Sequence, residues 1–221
     1  MKLVLTLALY LTNTLQTQHF SVNFEEKINI MKFFEAYPFT NQSEGLYSNK
    51  PLTIDPGGET VFGISRVFHP NLDIWAIVDQ YKLKNNFPSN LLQNKKLLAK
   101  VEVFYYVEFW LKVRCQEIQD DRIQLHLYDC AINCGQGTAV MMLQECLNVA
   151  KNGLFGSITL KAYEESDKNN LLKMFVKKRE EHYLKIVAKK PAKKVNLQGW
   201  LNRINNCTEY AINISKNRYG S

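Results

Sequence analysis

The sequence predicts a mainly α-helical protein with one small β-hairpin or loop element, and three observations predict it. Apolar residues recur at Phe24, Ile28, Met31 and Phe34, the spacing of one helix face. The long run 97–113 is aromatic and apolar, with charges at Lys100, Glu102, Glu108 and Lys112. Between them, residues 43–60 (SEGLYSNKPLTIDPGGET) are rich in Ser, Asn, Pro and Gly. That is turn and hairpin chemistry, sharpest at Pro56-Gly57-Gly58.

The helices follow in order. The first, over 24–37, kinks or restarts at Pro38, because proline removes a backbone donor and crowds the preceding turn. The β or loop element falls near 45–65. Spacing predicts further helices at 97–113, 122–133 and 138–150, punctuated by Gly135 and Gly137. Lys151-Asn152-Gly153 reads as a turn. Helices at 171–187 and 195–214 complete the set, separated by Pro191 and a lysine cluster. No internal repeat is visible.

A chain of 221 residues holds one full domain, or a larger lobe with a small appended one. Hydrophobic residues make up 46%, enough to build a core, so disorder is not the default reading. The net charge of +7 is uneven: residues 161–221 hold 14 Lys/Arg against 6 Asp/Glu, and the first 160 hold 14 against 15. The basic tail suits an anionic partner such as nucleic acid, anionic lipid or a cell-wall polymer; a solvated helical surface explains it equally well. Nothing resembles a nucleic-acid fold motif, so no nucleic-acid partner is expected.

Five cysteines, an odd number at irregular spacing, do not suggest a full disulfide framework. Cys130 and Cys134 stack at i, i+4 on a helix, where disulfide geometry is awkward, and the cysteines read as small buried apolar residues. The histidines His19, His69, His126 and His182 show no metal-ligand spacing. No phosphate loop, nucleophile elbow or dinucleotide motif occurs. No metal and no cofactor are expected, and the chain reads as a monomer. Lys2 followed by the apolar run 3–11 (LVLTLALYL) has the pattern of a signal peptide or export anchor over 1–22. The run is too short to span a bilayer, and transient membrane contact would come through it. An N-terminal segment packed on the domain is the alternative.

One constellation carries chemistry. Cleaving a glycosidic bond needs an acid to protonate the leaving oxygen, and a second group to guide water or stabilise the transition state. Glu44 sits at a helix-to-loop junction, Asp55 follows just before Pro-Gly-Gly, and Thr60 closes the segment. A hairpin turning at Gly57-Gly58 would fold Asp55 and Thr60 back toward Glu44, and the two glycines would let backbone approach a sugar chain closely. Glu44 would need partial burial to keep its proton. By pattern alone, a capping or solvated glutamate is the commoner case.

The runs E-G-L-Y-S-N-K-P and D-P-G-G-E-T-V-F-G-I-S, starting at Glu44 and Asp55, resemble the signature of glycoside hydrolase family 108. Further matches come in order. Phe109-Trp110 is similar to the family's Y-W, and the run from Tyr128 to Gly135 (YDCAINCG) to its F-D-x-A-V-N-x-G. Leu143-Gln144 is similar to L-Q. Asn152-Gly153-Leu154-Phe155-Gly156 with Thr159, and the Gln198-to-Arg203 run (QGWLNR), resemble the peptidoglycan-binding region that usually follows.

The resemblance implies a lysozyme-like helical fold and N-acetylmuramidase activity on peptidoglycan glycan strands, as in phage endolysins or muramidases that assist secretion. It implies a catalytic region over 24–115, a peptidoglycan-binding region over 118–213, and action in the periplasm or the extracellular wall. It puts the catalytic glutamate on Glu44 and supports Asp55 and Thr60 beside it. Tyr47, Gly57, Gly58 and Trp200 are the expected substrate contacts. For Trp200 a packing role stays open; Trp110 reads as core, and Asp129 with Asn133 as a buried polar network. Two departures stand out: Leu46 replaces the family's second glycine, and Ser43 its histidine. Leu46 is what would support the alternative, a catalytically weak peptidoglycan-binding or secretion-assisting protein.

Overall fold

The computed structural model describes residues 23–41 and 44–219. The expected signal segment and Ser43 lie outside these residues. The described residues divide into two compact units, one up to Tyr106 and one from Val107 onward.

The first unit opens with α1 (Phe24–Asn41). An Asn23–Glu26 capping box starts it: Glu26 N donates to Asn23 Oδ1 at 2.9 Å and Asn23 N to Glu26 Oε2 at 3.0 Å. Pro38 neither ends nor restarts this helix, which continues to Asn41. Its cost is confined to the final turn. Three short strands follow, β1 (Tyr47–Asn49), β2 (Glu59–Val61) and β3 (Ile64–Ser65), forming an antiparallel sheet in the order β1-β2-β3. Ser48 pairs with Thr60, and Thr60 with Ser65.

Helix α2 (Ile74–Lys82) was not expected from spacing; at nine residues it offers too few periodic positions. Helix α3 (Lys95–Tyr105) is capped by Asn94, whose side chain accepts from Leu97 N. The expected helix 97–113 therefore keeps α geometry only to Tyr105, after which Tyr106–Leu111 winds as a π-helical turn. The core of this unit joins Phe33 and Tyr37 of α1, Val61 and Ile64 of the sheet, Trp75 and Val78 of α2, and Leu97 and Val101 of α3.

The second unit is built around α4 (Asp121–Cys134), capped by Asp120, which accepts from Arg122 N and Ile123 N. Ten of its fourteen residues are buried, so it is covered by α5 (Gln136–Cys146), α7 (Lys168–Lys189) and α8 (Leu197–Tyr219). Helix α6 (Ser157–Glu165), again nine residues, was also not expected from spacing. Trp110 is fully buried, edge-on to Tyr128 at 5.4 Å. Cys115, Cys130 and Cys207 are buried as free thiols.

An ionic network occupies the centre of this unit. The fully buried Asp129 accepts from Arg179 Nη2 at 2.5 Å and Arg203 Nε at 2.9 Å. Arg179 Nη1 lies 2.7 Å from His126 Nδ1. Arg179 can only donate, so Nδ1 accepts and the ring proton sits on Nε2, facing Thr208 Oγ1 at 3.0 Å. Burial, then the charge of Arg179, holds the His126 imidazole well below its usual range and therefore neutral. Asn133 Nδ2 donates to Asp129 O at 2.8 Å.

The Leu143-Gln144 and Asn152-to-Thr159 motifs meet as architecture. Gln144 Nε2 donates to Asn152 Oδ1, Leu154 O and Thr159 Oγ1, and Gln144 Oε1 accepts from Gly153 N. One buried amide thus orders the whole loop.

Candidate active site

Glu44 follows α1, its backbone N–H bonded to Asn41 O at 3.2 Å, and it is half-buried. Its carboxylate meets the turn between β2 and β3. That turn is two residues long, Phe62 at φ 47° and Gly63 at φ 75°, both in the left-handed region, as in the tight hairpins that match strand twist. A Cβ on Gly63 would lie 2.5 Å from Glu44 Oε2 and 2.7 Å from the Tyr105 hydroxyl. Any side chain at this position would push one of them aside. The Tyr105 hydroxyl donates to Phe62 O at 2.7 Å. It thereby holds the unusual backbone of a buried, non-glycine residue.

The Pro56-Gly57-Gly58 turn differs from the expected hairpin tip. It ends a nine-residue connection, 50–58, and delivers the chain into β2. Asp55 Oδ1 accepts from Gly57 N at 2.9 Å, and Gly58 N donates to Asp55 O at 3.0 Å. Ser65 Oγ donates to Gly57 O at 2.7 Å, pinning the turn to β3. Gly58 has φ 58°, and a Cβ there would sit 2.9 Å from Leu52 and 3.1 Å from Val67. Thr60 is half-buried in β2, its methyl 3.6 Å from where a Gly57 Cβ would stand.

Tyr47 is fixed on two sides. Its hydroxyl donates to Glu59 Oε1 at 3.2 Å, and its ring meets Phe87 edge-on at 4.6 Å. Glu59 also accepts from Arg66 at 2.9 Å and pairs with Lys82. Burial works against the Glu59 carboxylate, but hydrogen bonds from Lys82 and Arg66 outweigh it and its pKa falls below the ordinary value. Arg66 and Lys82 extend the network to Asp79, whose pKa is lowered to about 2, chiefly by the hydrogen bonds from Arg66.

Glu44, Tyr47, Asp55, Gly57, Gly58 and Thr60 all lie on the sheet of the first unit or on the loops that lead into it. Trp200 belongs to the second unit, where its indole stacks on Tyr183 at 4.8 Å and 18°. Leu46, the departure at the motif, keeps φ out of the left-handed region, and its carbonyl accepts from Phe62 N at 3.0 Å. It introduces no backbone strain. Gly63 and Tyr105 are the residues sequence reasoning passed over. Gly63 stands inside the quoted motif; Tyr105 was hidden in an aromatic run that reads as core.

The comparisons with known proteins agree with this architecture. Residues 37–135 match the model of the glycosyl hydrolase 108 family, and residues 138–205 match a predicted peptidoglycan domain. Within the chain, the region 37–135 is similar to the glycosyl hydrolase 108 family. Together the two matched regions support a glycoside hydrolase that acts on peptidoglycan. Cell-wall-acting regions of this kind imply a periplasmic or extracellular location. The solved structure of Brucella abortus SagA is similar, with a TM-score of 0.60 and 22% identity, covering 84% of this chain and 97% of that one. The fold is lysozyme-like, mainly helical with a small antiparallel sheet. None of the curated proteins matches the chain. Among the described residues no helix is long and apolar enough to cross a membrane, and no group of His, Cys, Asp or Glu is arranged to hold a metal ion.

Proposed function

We propose that this protein is an N-acetylmuramidase that hydrolyses peptidoglycan glycan strands, with Glu44 as general acid. The observation that carries this reading is the packing of the Glu44 carboxylate against Gly63 beside the Tyr105 hydroxyl. An acid that protonates a leaving oxygen must be shielded from bulk water and fixed in direction. Half-burial against Gly63 supplies the shielding, and the hairpin held by Tyr105 supplies the direction.

Asp55 and Thr60 are the groups proposed to hold the attacking water, a role a hydrolase requires of a second polar residue. Asp55 keeps its turn-capping bond while doing so, since one oxygen serves Gly57 and a carboxylate has two. Tyr47, Gly57 and Gly58 line the sugar path in this reading, and Trp200 touches the wall with the indole face left outside its stack on Tyr183. Export through the N-terminal segment belongs to the same reading, as do division of the chain into a catalytic and a wall-binding region and action as a monomer.

The reading is tested by product chemistry. Wild-type protein is incubated with purified peptidoglycan and the fragments are weighed. Hydrolysis leaves muramic acid reducing ends; attack by the sugar's own hydroxyl leaves anhydro ends. Anhydro products would overturn the hydrolase assignment.

A further inference from the structure

Helices α5 and α7 of the second unit enclose a cleft of about 270 Å³, inside the segment that matches the peptidoglycan domain. Its lining includes Met141, Glu145, Lys151, Lys178, His182 and Lys185. Three ammonium groups face one carboxylate. Glu145 takes Lys178 at 3.0 Å and Lys151 at 3.3 Å, and Lys178 also meets Glu181 at 3.0 Å. Lys185 is exposed; its charge is felt by Glu181 one turn earlier, but no carboxylate among the described residues lies within ion-pair distance of it. Met141 adds a partly exposed thioether, a flexible apolar surface. Burial, with Lys185 beside it, holds the His182 imidazole below its usual range, so at neutral pH the ring adds a hydrogen-bonding group and no charge.

A second cleft, of about 320 Å³ at the start of α4, is different. There Arg122 closes on Asp120, and Asp121 on Arg218, so its charges answer one another. In the α5–α7 cleft, by contrast, three lining lysines outnumber the one lining carboxylate and stand beside Met141.

We propose that the α5–α7 cleft binds the peptide stems of peptidoglycan, with Lys185 taking a stem carboxylate and Met141 packing on its alkyl side chains. The proposal rests on peptidoglycan being the substrate. The ligand class follows from chemistry. Sugar rings are neutral and are recognised by flat aromatic faces and by hydroxyl partners. Stem peptides carry free carboxylates on short aliphatic residues, which is what an unpaired ammonium beside a thioether complements. The site therefore reads the peptide, while the first unit cuts the glycan.

The test uses the full chain and titrates the synthetic tetrapeptide L-alanyl-D-isoglutamyl-L-lysyl-D-alanine by calorimetry. In parallel it measures co-sedimentation with intact sacculi and with sacculi stripped of their peptides by an amidase. The wild type is expected to bind the tetrapeptide and to prefer intact over stripped sacculi. Lys185→Glu should weaken both at least tenfold, Lys185→Arg should restore them, and amidating the peptide carboxylates should mimic Lys185→Glu. Cleavage of stripped glycan should stay within twofold of wild type in every variant. Equal binding of intact and stripped sacculi, or tetrapeptide binding unchanged in Lys185→Glu, overturns the proposal. So does equal competition by inorganic phosphate, which would mark a general anion surface. Should stem binding persist while no variant cleaves glycan, the hydrolase reading fails and this one stands.

Discussion

The Tyr105 hydroxyl holds the Phe62 carbonyl at 2.7 Å, and the residue after Phe62 is the glycine against which Glu44 rests. A side chain from α3 thus sets the hairpin, and the hairpin sets the carboxylate. Changing the glycine should then hurt chemistry more than folding. In Gly63→Ala the new methyl would stand 2.5 Å from Glu44 Oε2 and force it aside. A left-handed alanine costs about 1–2 kcal/mol, a drop of roughly 2–8 °C in Tm for a chain of this size. A displaced catalytic group costs about 10²-fold in rate. The expected variant is folded, slightly less heat-stable and about a hundredfold slower, by melting and wall-digestion assays. Wild-type turnover would show that Glu44 tolerates displacement.

Asp55→Asn separates the two roles given to Asp55. Asparagine caps the turn through the same bond to Gly57 N, so Tm should not move. Activity should fall, though less than in Glu44→Gln, because Thr60 still holds water. Unchanged activity would leave Asp55 as a turn cap and nothing more.

Glu102 on α3 gives a pH signature. Burial pushes its carboxyl from 4.5 up to about 7. Between those values the folded protein keeps a proton that the unfolded chain has lost, so the stability it contributes fades as pH rises from about 4.5 to about 7. Glu102→Gln removes that titration. Relative to wild type, the variant should gain in Tm between about pH 5 and pH 8. A Tm difference that stays flat across that range would place Glu102 in solvent.

The buried network of the second unit should behave as a unit. Removing Asp129 leaves Arg179 and Arg203 without their shared carboxylate. Breaking such a pair costs about 3–5 kcal/mol, so Asp129→Ala should lower Tm by roughly 6–20 °C. Melting curves check this, and a change of only a few degrees would mean that water reaches the arginines.

Much of this architecture is legible in the sequence, and the illegible parts share a cause. Helical spacing exposes α4, α5, α7 and α8, and turn residues expose the segment around Pro56-Gly57-Gly58, because both signals are local. Helices α2 and α6 are too short for a period to show. The hairpin at Phe62-Gly63 is masked because Phe stands where Asn or Asp would announce the turn. Pro38 reads as a break, yet it sits three residues from the end of α1, where little helix remains to lose. The pairing of Glu44 with Gly63 and Tyr105 joins positions far apart in the chain, and no spacing rule reaches that distance.

The most direct test of the account is Glu44→Gln on purified peptidoglycan, with the released fragments quantified by mass and Tm recorded alongside. The amide is nearly isosteric but cannot deliver a proton. The account predicts an unchanged Tm and cleavage reduced by about 10²–10⁴-fold, the usual contribution of a general acid. Cleavage within a few-fold of wild type would contradict it and remove Glu44 from the reaction.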